Sequence, residues 1–217
     1  AENNNITGSL QINWLHGAPG RNLKAEFEVL LTKAVTTFQR FPDFTFDDPS
    51  REFNSETKII FEGYTDDAGH ATVNATLETS ESAPGMLNAV FRGKAFEESG
   101  NFSIDRFSIP YYPYKSFTGI RLPAGDKARG MLLTDTTHRV DVVTLDADGN
   151  PVSRDRVEMS MYKLEWRWWW EEREERHASY ISNNTHALKE TVSLTTDKKG
   201  QVQWRFKGKN FDWGRHL

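Results

Sequence analysis

The most constraining feature of this 217-residue sequence is the alternation of apolar and polar residues along most of its length. The period of two is clearest in four segments, residues 10–14, 23–29, 71–77 and 202–206. Successive side chains of a β-strand point to opposite faces of the sheet, so each segment is expected to bury one face and expose the other. No segment has the apolar spacing of an amphipathic helix. The pattern therefore predicts an all-β chain of antiparallel strands.

Two pairs of turn sequences show that the chain repeats itself. A Gly/Pro turn at residues 17–21 is matched by one at 148–152, and an Asp/Gly turn at 65–69 is matched by one at 196–200. Both matches have an offset of about 131 residues, and alternating segments flank each turn. We interpret this as a tandem duplication of a β-sandwich domain of the fibronectin-III or immunoglobulin type.

The predicted boundary lies beside Pro110 and Pro113, which interrupt the alternation and cannot donate ladder hydrogen bonds. This gives one domain over residues 1–112 and a second over 113–217. The first copy has no counterpart of the strand predicted at 117–122. The second copy stops where the first continues through two more apolar segments. We therefore expect the pair to be truncated at both ends, and the second domain to be incomplete at its C-terminal end.

Each copy carries an insertion between its two repeated turns. The first insertion, at about residues 36–57, contains Asp47-Asp48 and five phenylalanines. The second, at about 165–189, opens with an aromatic run. We predict contacts to another domain or to a partner for this run, namely Trp166, Arg167, Trp168, Trp169 and Trp170. The two open interpretations are a strand buried at a junction and a stacking platform for sugar rings or a peptide.

The composition of the chain and the motifs it lacks argue against most enzyme classes. The chain has no cysteine, which removes thiol nucleophiles, thiolate metal sites and thioesters, and its net charge of -4 disfavours nucleic-acid binding. No catalytic serine, phosphate-loop or metal-binding histidine motif is present. Asp66 and Asp197 occupy equivalent turns, which favours a turn-capping role over binding of calcium. We predict a non-catalytic protein without cofactor, metal or membrane-spanning segment.

Four strings resemble the macroglobulin-type (MG) domains of bacterial alpha-2-macroglobulins, especially those of Bacteroidetes. They are residues 12–19, 130–135, 140–149 and 162–170. The resemblance covers essentially the whole chain. It implies two fibronectin-like sandwiches from a larger scaffold that traps proteases after cleavage of a bait region.

The resemblance also implies a setting. Such proteins are broad-spectrum endopeptidase inhibitors of the periplasm or cell envelope, often lipoproteins. Their expected partners are the other domains of the parent chain, target proteases bound by the full-length protein and a peptidoglycan synthase. No targeting signal is visible here. The alternative is a carbohydrate-binding or adhesin pair of β-sandwich modules from a cell-surface protein.

Overall fold

The computed structural model divides the chain into two compact units, Ala1–Phe117 and Thr118–Leu217. The structure describes residues 5–77, 83–165, 185–208 and 214–217. Within these ranges every regular element is a β-strand, so no described helix is available that could cross a membrane. This division lies a few residues after the domain boundary expected from the sequence. The expected boundary stays a prediction.

The described part of the first unit has six strands in two antiparallel sheets. A four-stranded sheet has the order β3-β2-β5-β6, and a two-stranded sheet pairs β1 with β4. The strands are β1 (Asn5–Gln11), β2 (Lys24–Lys33), β3 (Thr57–Tyr64), β4 (His70–Thr76), β5 (Leu87–Phe96) and β6 (Phe102–Tyr111).

The core of the first unit lies between these two sheets. Phe27, Val29 and Leu31 of β2 pack with Phe91 of β5, and Val73 of β4 covers them from the other sheet. These residues sit at alternate positions, as the period of two predicts. The arrangement is a β-sandwich.

The second unit repeats the pattern: its described residues form two three-stranded sheets, β11-β8-β7 and β10-β9-β12. The strands are β7 (Phe117–Arg121), β8 (Thr137–Leu145), β9 (Val157–Glu165), β10 (Thr185–Leu194), β11 (Gln201–Lys207) and β12 (Arg215–His216). Val140, Val142 and Trp204 of one sheet pack with Val157 of the other, and this cluster forms a second sandwich core.

The all-β, two-sandwich prediction is confirmed, with two local corrections. Trp14 was expected to continue the first strand and face the core, but β1 ends at Gln11 and Trp14 is exposed in the following turn. Pro110 was expected to stop a ladder, but it lies inside β6 opposite Asn88. Because β6 is at the edge of its sheet, a proline that cannot donate a hydrogen bond is tolerated there.

Candidate functional site

The tryptophan run singled out from the sequence, residues 166–170, lies outside the described residues. The structure gives the two strand ends on either side of the run, where Glu165 of β9 pairs with Thr185 of β10. Strand β10 begins four residues earlier than the insertion was expected to end. The contact role of the run therefore stays a prediction.

The two repeated turns of the first unit are held together by one buried threonine. Thr65 donates its hydroxyl proton to the carbonyl oxygen of Gly20 at 2.6 Å and accepts the backbone N–H of Leu23 at 3.0 Å. Its own N–H is bonded to the Leu23 oxygen at 3.0 Å. We call this set of bonds the first clasp. It joins loops that are more than 40 residues apart in sequence.

The second unit has the equivalent second clasp, built around Thr196. Thr196 accepts the N–H of Arg154 at 2.8 Å, and its own N–H is bonded to the Arg154 oxygen at 2.9 Å. Here the hydroxyl lies 2.9 Å from that of Thr144, which in turn donates to the Val152 oxygen at 2.5 Å. Two hydroxyls in series thus replace the single bond from Thr65 to Gly20.

A glycine closes each clasp. The Gly69 oxygen accepts from Ile12 N at 2.9 Å, and the Gly200 oxygen accepts from Thr144 N at 2.8 Å. Both glycines have a left-handed backbone, with φ of +77° and +67°. A Cβ atom would lie 2.5 Å from the Ile12 oxygen in the first case and 2.5 Å from the Thr144 oxygen in the second. Both turns therefore require glycine for conformation and for space.

Asp66 and Asp197 cap the turns beside the two clasps, as predicted from their equivalent positions. Asp66 accepts the N–H groups of Ala68 and His70, at 2.9 and 2.8 Å. Asp197 accepts those of Lys199 and Gln201, at 2.8 and 2.9 Å. The pKa of the Asp66 carboxyl is below its ordinary value, and the hydrogen bond from the His70 N–H is the largest cause. The described residues contain no group of acidic or histidine side chains arranged to hold a metal ion.

The first insertion is an ordered segment built on aromatic contacts. Phe38 and Phe46 are buried with ring centres 4.8 Å apart in an edge-to-face arrangement, and Phe41 meets Phe44 at 5.7 Å in the same geometry. Phe38 also packs on buried Phe117, the last residue of the first unit, at 5.8 Å. These contacts belong to the compact interior of the unit, so this aromatic cluster is a packing feature.

The two acidic residues of this insertion also hold backbone in place. Asp47 accepts from the N–H and hydroxyl of Thr36, and the same hydroxyl accepts the N–H of Met86 at 2.6 Å. A side chain at Gly85 would overlap both the Asp47 carboxylate and the Thr36 hydroxyl. The insertion is thus attached to the start of β5 by a polar contact that leaves no room for a Cβ atom.

Asp48 organises the next turn. It accepts from the N–H and hydroxyl of Ser50 and from Arg51 Nε at 3.0 Å. Arg51 extends to the Tyr114 hydroxyl at 2.9 Å, and that hydroxyl donates to the Ala83 oxygen at 2.6 Å. Burial tends to raise the pKa of the Asp48 carboxyl, but the bonds from Ser50 and Arg51 outweigh it and lower the pKa. Asp47 and Asp48 therefore have structural partners.

The outer face of the four-stranded sheet carries a network of ion pairs that the sequence analysis did not find. Lys94 of β5 contacts Glu26 at 2.7 Å and Glu28 at 3.2 Å, and Arg92 contacts Glu28 at 3.1 Å. Hydrogen bonds to Glu26 and Glu28 raise the pKa of Lys94. The alternation of charge with Phe27 and Val29 could have indicated an outward face, but the pairing partners on β5 depend on strand register.

Two comparisons with known proteins identify relatives of these domains, and a third found none. Residues 1–112 match a family described as the MG5 domain of bacterial alpha-2-macroglobulin, and residues 119–217 match bacterial macroglobulin domain 6. Together the two matches cover almost the whole chain. No curated protein matches the sequence significantly.

Solved structures of bacterial alpha-2-macroglobulins share the fold at low identity. The native Escherichia coli protein is 18% identical with a TM-score of 0.60, and its trypsin-activated form is 19% identical with a TM-score of 0.55; each match covers 95% of this chain and 14% of the relative. The Salmonella protein reacted with methylamine is 15% identical with a TM-score of 0.56, covering 100% of this chain and 16% of the relative. The chain thus spans about a seventh of the length of these proteins.

Proposed function

Because the chain belongs to the bacterial alpha-2-macroglobulin family, as its MG5 and MG6 domains, we propose that it is a non-catalytic scaffold element of a protease trap. In this role the two sandwiches help to hold a bait-bearing array in its uncleaved form. The parent protein is a broad-spectrum endopeptidase inhibitor. Chemistry that captures the protease is supplied by other parts of the parent chain, because a thioester requires a cysteine and this chain has none.

The observation that carries this proposal is that the polar side chains singled out above are hydrogen-bonded within loops and turns. Thr65 and Thr196 are buried and join loops, while Asp66 and Asp197 cap turns. The carboxylate of Asp47 holds the first insertion. These are the residue types that a catalytic site would need, and each is committed to the shape of a loop. Satisfied polar contacts of this kind make loops rigid in both copies, which is what a scaffold requires.

The relatives support target proteases as partners of the full-length protein. The E. coli protein is described as activated by trypsin and by porcine elastase, two endopeptidases. We extend this property to the parent of the present chain, with neighbouring macroglobulin domains as the direct contacts of these two units. The periplasm or cell envelope as location, lipoprotein attachment and a peptidoglycan synthase as partner belong to the same proposal.

An inhibition assay tests the scaffold role. The 217-residue chain is incubated with trypsin or elastase, and turnover of a large protein substrate is compared with that of a small peptide. We expect the chain to protect neither substrate, because two sandwiches cannot enclose a protease. A full-length bacterial alpha-2-macroglobulin is the positive control and should protect the large substrate only. Protection of the large substrate by an equimolar amount of the chain would contradict the proposal.

A glycan array provides the matched test against the alternative function. A scaffold pair should bind no sugar, and substitution of Trp168 and Trp170 by alanine should leave the array unchanged. Binding of a glycan that is lost in this variant would replace the scaffold proposal with a carbohydrate-binding module.

A further inference from the structure

An open cleft of about 670 Å³ lies in the second unit and is rich in arginine. Arg121 of β7, Arg139 of β8 and Arg205 of β11 line it, so each strand of the β11-β8-β7 sheet contributes one guanidinium group. The wall includes Leu122 and Pro123, from the segment that follows β7. The cleft therefore combines a basic floor with an apolar side.

Strand register places two of these arginines directly opposite each other. Arg205 pairs with Arg139 in the antiparallel ladder of β11 and β8. Val140 and Trp204, at the adjacent positions, are buried in the core, so both arginines are on the outward face. Like charges directly opposite each other on neighbouring strands are destabilising. This arrangement is a cost to folding unless an anion lies between them.

The acidic residue in the cleft does not balance the three arginines. Asp141 is 2.9 Å from Arg121 Nη2 and 3.4 Å from Arg139 Nε, and it also accepts from Gln203. The described part of the chain supplies no ion pair to Arg205. Among the described residues that line the cleft, one carboxylate thus lies beside three guanidinium groups.

The first unit has a comparable surface with two carboxylates instead of one. On the outer face of its four-stranded sheet, Arg92 also lies opposite an arginine, Arg106. There Glu28 contacts Arg92 at 3.1 Å, and Lys94 contacts both Glu26 and Glu28. In that unit the neighbouring strand provides the anions. In the cleft of the second unit, Asp141 is the single carboxylate among the described lining residues.

We propose that this cleft binds an acidic polypeptide segment through its Asp or Glu side chains. Neighbouring strands are about 4.8 Å apart, so the backbones of β7 and β11 are separated by roughly 10 Å. An extended chain that crosses this distance can present several carboxylates to the arginines. The cleft is far larger than a single inorganic ion needs. Guanidinium groups pair with carboxylates through two parallel hydrogen bonds, and Leu122 and Pro123 offer contact to the aliphatic part of glutamate. The site is independent of the scaffold role.

Fluorescence anisotropy with a labelled hexaglutamate peptide tests the site on the whole 217-residue chain. At about 50 mM salt, where screening is weak, we expect binding that falls at least about tenfold in the double variant R139Q/R205Q. R205K keeps the charge but loses the planar fork, so it should give an intermediate affinity. Hexaglutamine should not bind. Arg156→Gln is the matched control, because Arg156 is an exposed arginine of the same unit outside the cleft, and it should leave binding unchanged.

Thermal unfolding of each variant separates loss of binding from loss of fold. Removing like charges should leave the melting temperature of R139Q/R205Q equal to or above that of the parent chain. Equal affinity of parent and double variant for hexaglutamate would overturn the proposal. So would equal binding of hexaglutamine, or competition by inorganic phosphate as effective as that of the unlabelled peptide, since either result would mark a surface without selectivity for an acidic polypeptide. If the double variant fails to fold, the single variant R205Q must still lose at least about threefold in affinity for the proposal to stand.

Discussion

The two clasps solve the same problem with different side chains. In the first unit Thr65 reaches the Gly20 oxygen directly, while Ile12 occupies the position that corresponds to Thr144. In the second unit the hydroxyl of Thr144 lies between Thr196 and the Val152 oxygen. The backbone bonds and the closing glycine are the same in both units. The two units therefore share a backbone arrangement, and the side chains that complete it differ between them.

The largest expected effect comes from the closing glycines. Gly69→Ala and Gly200→Ala should each cost about 3 kcal/mol, because a left-handed backbone costs an alanine about 1–2 kcal/mol and overlap with a carbonyl oxygen adds a comparable amount. Urea denaturation gives the free energy of unfolding, and hydrogen exchange assigns it to a unit. Gly17→Ala is the control, since Gly17 has a positive φ with nothing within 4 Å of its Cβ position. Gly17→Ala should cost only about 1 kcal/mol. An equal cost at all three positions would show that the overlap between the new Cβ atom and the carbonyl oxygen does not contribute.

The next effect separates the direct clasp from the two-hydroxyl clasp. Thr65→Val and Thr196→Val should each cost about 2 kcal/mol, because the backbone N–H of Leu23 or of Arg154 loses its acceptor. Thr144→Val should cost about 1 kcal/mol, since Thr196 still accepts from Arg154 N. Thr65→Ser and Thr196→Ser keep the hydroxyl and serve as controls. The interpretation of Thr144 as an intermediate would be wrong if its variant cost as much as Thr196→Val in urea denaturation.

A smaller difference is expected at the Gly/Pro turns. Asp146 accepts the N–H groups of Asp148 and Asn150, at 3.0 and 2.8 Å, whereas the equivalent turn in the first unit has Trp14 and only backbone bonds. Asp146→Ala should cost about 1 kcal/mol, and Trp14→Asp should gain a few tenths of a kcal/mol. Differential scanning calorimetry measures both. Stabilisation by Asp146→Ala would show that the cap contributes nothing.

The smallest effect concerns acid. The hydrogen bond from the Asn150 N–H lowers the pKa of the Asp146 carboxyl in the folded protein, and the side chain of Asn150 adds to this effect. Together these bonds outweigh burial, which raises the pKa. The stability that this group contributes is therefore complete above its unfolded pKa of about 3.9 and is lost as pH falls through its folded value. Asp146→Asn should flatten the pH dependence of the second unit below about pH 4 and leave the first unit unchanged. The assignment to Asp146 would be wrong if Asp146→Asn left the acid dependence of the second unit unchanged, or flattened that of the first unit equally.

Much of the fold was predictable because it depends on local pattern. Alternation identified the strands that carry Phe27, Val73 and Trp204, and turn chemistry identified Asp66 and Asp197 as caps. The same reasoning failed at Trp14, which lies beyond the end of β1, between the isolated bridge from Asn13 to Pro19 and the turn that follows.

Features that depend on strand register could not be predicted. Alternation alone would place Arg139 and Arg205 on outward faces, beside buried Val140 and Trp204. Their position opposite each other follows from the pairing of β8 with β11, strands separated by more than 55 residues. The partners of Thr65 and Thr196 are likewise loops that only the folded chain brings together. Sequence patterns indicate which face a side chain occupies, but long-range pairing decides what it contacts.

The clasps have a consequence for the order in which each domain folds. The bond from Ile12 N to the Gly69 oxygen closes a loop of 57 residues, and the bond from Thr144 N to the Gly200 oxygen closes one of 56. Loop-closure entropy has to be offset before such distant contacts become favourable, so the hairpin of β5 and β6 should form early and the clasps late. Topologies dominated by non-local pairing fold in milliseconds to seconds. Newly made copies of either domain should therefore pass through a stage in which the strands have formed while the closing glycines are still unpaired.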